Sequence, residues 1–168
     1  MHPGASSLQK RWPAANFAEV ARALLGEDPA RWLILTGSPA ERPLCESIQA
    51  GCGAPERVVN AAGVVPLSNL PALLERVRWL LTNDTGVAHI GYAIGTPSLT
   101  LFWRSLPRIS GPLTNSERHR VIFKGDQCQA CNQGQCVYPA CANAITAEEV
   151  LAVAREQLRR PVTARAHP

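Results

Sequence analysis

The sequence predicts an α/β protein, a Rossmann-like doubly wound parallel sheet, on three observations. Short apolar runs alternate with helical patterns along the chain, as in folds that cover a parallel sheet with helices. The runs at residues 32–36 (WLILT), Val58–Asn60, residues 79–82 and Ser98–Phe102 are continuous rather than alternating, which suits strands buried on both faces. Finally, residues 82–97 (TNDTGVAHIGYAIGTP) carry a strand through a polar turn onto a helix.

Between the strands, Phe17, Val20, Ala21 and Leu24 recur at helical spacing. Leu70, Leu73, Leu74 and Val77 repeat the pattern, with Ser68 as N-cap and Pro71 tolerated in the first turn. Thr146 and Glu149 have capping-box spacing ahead of Val150, Val153, Ala154 and Leu158. Ser38-Pro39-Ala40-Glu41 reads as a helix start, yet Pro43 would then lie inside that helix. Either the helix begins later or its first turn is distorted. Residues 104–125 show no clear period.

The 168 residues predict one domain over 1–160, with 161–168 as a frayed tail. A composition 46% hydrophobic and 18% charged argues against disorder. No apolar run approaches the ~20 residues that cross a bilayer, so the expectation is a cytoplasmic protein, at most peripheral to the inner face of the membrane. A net charge of +4 is mild and suits an anionic ligand or surface. There is no concentrated Lys/Arg face and no aromatic stacking run, so nucleic acid is not an expected partner.

Residues 82–97 also carry the chemistry. A helix amino end has unpaired N–H groups and about half a positive charge, which favours phosphate. Thr85 and Gly86 open that helix, Asp84 precedes it, and His89 lies one turn inside. Asp84 either caps the helix or contacts a ligand; His89 is either a ligand contact or a core histidine. A second glycine turn stands at residues 2–13, HPGASSLQKRWP. Its small residues let a ligand approach the backbone, and Lys10 offers a point charge. Both turns would lie at the C-terminal ends of parallel strands, where open α/β sheets bind nucleotides.

HPGASSLQKRWP, LILTGSPAE, NAAG and LLTNDTGVAHIGYAIGTPSLTLF, in that order, resemble the C-terminal half of the family 9 glycosyltransferases, the ADP-heptose:lipopolysaccharide heptosyltransferases and their relatives. The resemblance implies the donor-binding domain of a two-domain GT-B enzyme of lipopolysaccharide core biosynthesis. It implies that Ser6 and Lys10 contact the donor phosphates and that Asp84, Thr85, Gly86 and His89 wrap the diphosphate and sugar. Leu67 would lie against adenine and Glu41 would accept ribose hydroxyls. An ADP-sugar is then the substrate, a lipopolysaccharide core or other glycan is the acceptor, and no cofactor is obligatory. The reaction inverts the anomeric centre, with Lys10 stabilising the leaving diphosphate and the base supplied by a carboxylate of an N-terminal domain. Family members carry a strand just before the HPGAS-like turn, whereas this chain starts at Met1. The expectation is therefore a fragment, inactive alone, whose truncated first strand leaves its neighbours unpaired. The alternative is a non-catalytic nucleotide-sugar binding module.

Four of the six cysteines, Cys128, Cys131, Cys136 and Cys141, fall in a loop at 127–143. Four thiolates could enclose a structural zinc. The spacing is tighter than in common zinc modules, so metal-free thiols or disulfides stand beside zinc. Cys45 and Cys52 read as ordinary thiols.

Overall fold

The computed structural model describes residues 1–113, 117–125 and 140–161. A 3-10 turn at Leu8–Lys10 leads to α1 (Ala14–Glu27), β1 (Leu33–Leu35), α2 (Arg42–Gly51), β2 (Val58–Asn60), α3 (Leu70–Leu74) and β3 (Leu80–Asn83). There follow α4 (Gly86–Ala93), β4 (Ser98–Phe102), α5 (Pro107–Ser110), β5 (His119–Phe123), α6 (Ala140–Asn143) and α7 (Ala147–Arg159). β1 pairs with β2, and β3, β4 and β5 pair in that order, every pair parallel.

Met1 and His2 join the two halves into one sheet. The His2 amide donates to the Leu81 carbonyl at 2.8 Å, and the Thr36 amide donates to the Met1 carbonyl at 3.0 Å. His2 also bridges Thr82 in parallel register. The central position expected of a first strand is held by these two residues. At their C-terminal ends β1 and β3 are therefore paired rather than open.

Successive residues of the central strands are buried on opposite faces, which explains the continuous runs. Leu35, Leu81, Leu99 and Leu101 pack into a large core with Phe17, Val20 and Leu24 of α1, Ile48 of α2, and Val150 and Ala154 of α7. Leu80 points into a smaller core with Leu70 and Leu74 of α3 and Val87 of α4. Helices thus cover both faces, the doubly wound arrangement. Trp12 is fully buried, edge-on to Phe17 with ring centroids 5.0 Å apart, and its indole N–H donates to the Ile145 carbonyl at 3.0 Å.

The proline conflict resolves toward a later start. Pro39–Glu41 forms a 3-10 turn and α2 begins at Arg42, so Pro43 falls in the first turn, where its missing N–H costs nothing. The α3 region begins similarly, with a 3-10 turn at Leu67–Asn69, so Asn69 rather than Ser68 takes the N-cap position. At α7 the predicted capping box is present: Glu149 N donates to Thr146 Oγ1 and Thr146 N to Glu149 Oε2, both at 3.1 Å. Gly95 closes α4 with φ of +70°, the left-handed conformation that favours glycine after a helix.

Candidate functional site

The first strand residues run straight into the turn at residues 3–10, and Asn83 at the end of β3 holds that turn in place. Its Nδ2 donates to the Pro3 carbonyl at 2.8 Å and the Gly4 carbonyl at 3.2 Å, while its Oδ1 accepts from the Trp12 amide at 3.2 Å. Asn83 is fully buried, so these bonds satisfy groups that water cannot reach. Gly4 is required by close approach, because a Cβ there would collide with the Glu41 carboxylate.

Glu41 in turn is committed to the loop after β1. Its Oε2 accepts from Ser38 N at 2.8 Å and Ser38 Oγ at 3.0 Å, and its Oε1 accepts from Arg11 Nη2 at 3.3 Å. Arg11 also donates through Nε and Nη2 to the Ala5 carbonyl, at 3.2 and 3.0 Å, which clamps the glycine turn. A carboxylate has about four lone-pair sites. Three are used here, which leaves room for one further donor.

At the head of α4, Thr85 occupies the N-cap position with extended backbone and no side-chain cap bond. A Cβ on Gly86 would meet nothing within 4 Å, so the helix start faces open space. Asp84 does not cap the helix. Its Oδ2 instead accepts from Lys10 Nζ at 3.3 Å and from the Ser105 hydroxyl. The loop leaving β4 is tied to the Lys10 turn a second time, since the Trp103 indole N–H donates to the Gln9 carbonyl at 2.8 Å.

These loops bound an open cleft of about 550 Å³, lined by His2, Ser6, Arg11, Glu41, Leu67, Thr85 and Gly86 among others. Five of the sequence-predicted residues, Ser6, Glu41, Leu67, Thr85 and Gly86, therefore share one cavity. Lys10 and Asp84 form their ion pair next in sequence to the lining residues Arg11 and Thr85. Leu67 is 71% exposed and lies in this lining rather than in the core. His89 is neither in this lining nor in the core: it is exposed on α4, edge-on to Tyr92 with centroids 5.7 Å apart.

His2 adds an acceptor to the cleft. Thr36 Oγ1 can donate to the Met1 carbonyl at 3.4 Å while accepting from His2 Nδ1 at 3.1 Å. That assignment makes both bonds and leaves His2 Nε2 unprotonated. Burial lowers the His2 pKa to about 4, so the ring is neutral near pH 7.

Asn83, Arg11, Ser105 and His2 were not legible as site residues. Asn83 alone carried a signal, as an amide ending the buried strand Leu80–Asn83. Of the cysteine cluster, Cys128, Cys131 and Cys136 lie outside the described residues, and Cys141 is buried against the large core. Among the described residues no group of three or more His, Cys, Asp or Glu is placed to hold a metal ion, and three of the four candidate zinc ligands lie outside those residues.

The sequence profile of glycosyltransferase family 9 (heptosyltransferase) matches residues 1–142. The chain belongs to glycosyltransferase family 9. Among family 9 proteins it is 28% identical to lipopolysaccharide heptosyltransferase 2 of Salmonella typhimurium over 133 residues, covering 74% of this chain and 38% of the relative. It is 34% identical over 124 residues to a lipopolysaccharide core heptosyltransferase of Haemophilus influenzae, covering 73% of this chain and 35% of that one. Its fold matches the Escherichia coli ADP-heptose LPS heptosyltransferase II with a TM-score of 0.76 at 25% identity, over 94% of this chain and 45% of the other. The chain thus spans less than half the length of these relatives. No helix among the described residues is long and apolar enough to cross a membrane.

Proposed function

We propose that this family 9 chain is the donor-binding part of an inverting glycosyltransferase of lipopolysaccharide core synthesis, holding an ADP-heptose-like nucleotide sugar in the cleft at residues 2–90. The observation that carries this reading is the convergence of Ser6, Glu41, Leu67, Thr85 and Gly86 on one cavity, with Lys10 beside it. The open start of α4 and the Lys10 ammonium supply positive charge where a diphosphate would sit and where charge develops as it leaves. Leu67 offers an apolar face to a base. Glu41 retains one acceptor site for a ribose hydroxyl, and His2 Nε2 offers another. The name of the Escherichia coli relative specifies ADP-heptose, which motivates the choice of donor.

Both carboxylates nearest the cleft are held by cations, Asp84 by Lys10 and Glu41 by Arg11, each with a side chain only 10% exposed. Neither is placed as a general base for an acceptor hydroxyl. That favours binding without transfer by this chain alone, with the acceptor and its base supplied by an acceptor-binding domain.

Calorimetric titration with ADP tests the assignment. The unmodified chain should bind ADP, and Lys10→Ala should weaken binding about tenfold or more, the scale of a hydrogen bond to a charged group. Equal affinities for the unmodified chain, Lys10→Ala and Thr85→Ala would remove the site. Gly86→Val separates the cleft from the fold. No protein atom opposes its Cβ, so the melting temperature should stay within ~2 °C while ADP affinity falls by at least tenfold through steric exclusion of the diphosphate.

A further inference from the structure

The loop that leaves β4 is bonded to Asp84 and to the turn that carries Lys10, the two partners of the ion pair beside the cleft. Trp103, 5% exposed, fixes the Lys10 turn through the Gln9 carbonyl, and Ser105 donates to Asp84. Asp84 is also tied to β4 from the backbone, its amide donating to the Leu101 carbonyl at 3.2 Å. Among the described residues, both side-chain donors to the Asp84 carboxylate fall on Oδ2. With Oδ2 doubly engaged, the carboxylate cannot rotate freely, and Oδ1 is the oxygen left to accept. A carboxylate cannot favour a phosphate directly, but it accepts well from a hydroxyl.

We propose that Ser105 is a positioning residue that selects for the sugar of the donor: by holding Oδ2 together with Lys10, it presents Asp84 Oδ1 to a sugar hydroxyl. Resting on the donor-site reading above, this assigns recognition of the nucleotide to one part of the cleft and of the sugar to another.

The test is calorimetry with ADP and ADP-heptose as probes, on the unmodified chain, Ser105→Ala and Ser105→Thr, with melting temperatures measured in parallel. The unmodified chain should prefer ADP-heptose to ADP. Ser105→Ala should lower ADP-heptose affinity about tenfold with ADP affinity unchanged, and Ser105→Thr, which keeps the hydroxyl, should restore it. A merely structural role would lower both affinities together, and that result overturns the proposal. So does equal affinity of Ser105→Ala and the unmodified chain for ADP-heptose, or an unmodified chain that binds ADP and ADP-heptose alike. If the unmodified chain binds neither probe, the donor-site reading itself fails and Ser105 has no sugar to select.

Discussion

Replacing Asn83 with alanine is expected to lower the unfolding free energy by about 3–5 kcal/mol, summed over three buried groups left without partners at roughly 1–3 kcal/mol each and partly relieved by relaxation. The groups are the Pro3 and Gly4 carbonyls and the Trp12 amide, all served by one side chain that is itself fully buried. The same change should free the glycine turn and so reduce ADP binding beyond any loss of stability. Asn83→Asp is the sharper probe. It keeps an acceptor for the Trp12 amide but replaces the donor with a carboxylate facing two carbonyl oxygens, so it should be at least as destabilising as alanine. Urea denaturation of both variants measures this. A loss below ~1 kcal/mol for Asn83→Ala would mean that water reaches those carbonyls and that Asn83 does not hold the turn.

Acidification should destabilise the protein well above the pH at which carboxylates titrate. His2 and His119 both have pKa values lowered from 6.5 to about 4, chiefly by burial, with the Met1 ammonium also lowering His2 and Arg118 lowering His119; Glu41 opposes the shift at His2. His119 is held by Ser98 Oγ at 3.0 Å from Nδ1 and lies edge-on to Tyr92, centroids 5.2 Å apart. Above pH 6.5 each ring is neutral in both states and contributes no pH dependence. Between 6.5 and 4 the unfolded chain takes up protons that the folded chain refuses, so stability falls as pH falls. Below 4 that loss is complete. Each histidine accounts for on the order of 3 kcal/mol across the window. Glu149, whose pKa is lowered by Lys124 and the Thr146 cap, adds its own loss only below 4.5. Urea midpoints at pH 6, 5 and 4.5, at or below the pKa of about 6 to which burial lowers the Met1 amino group, should drop steadily, and His119→Gln should remove about half of that slope. A flat profile down to pH 5 would show that both rings protonate in the folded state.

Local physics was legible in the chain. The capping box at Thr146 and Glu149 and the apolar strands are each set by a few consecutive residues, and each stands where the pattern put it. The first-turn prolines were legible as a conflict but not as its solution, because a 3-10 turn and a later α start satisfy the same residues. The segment after β4 was not legible at all. It has no period, and Trp103 and Ser105 matter through partners 94 and 21 residues away. His89 was ambiguous between ligand and core for a related reason. On a helix of eight residues, one position decides which way a side chain faces, and here it faces out.

By itself the sequence determined the fold class, the family and the two turns that form the cleft, because apolar period, glycine and proline placement and helix-start chemistry are read within a few residues. Only the tertiary structure decided which polar groups meet. Asp84 does not cap the helix and is paired with Lys10, 74 residues away; Asn83, within the strand-to-turn segment, holds another turn, 80 residues away. The physical reason is that a buried hydrogen-bonding group takes whichever partner the sheet brings within about 3 Å, and the order of strands in the sheet, not their order in the chain, sets that partner.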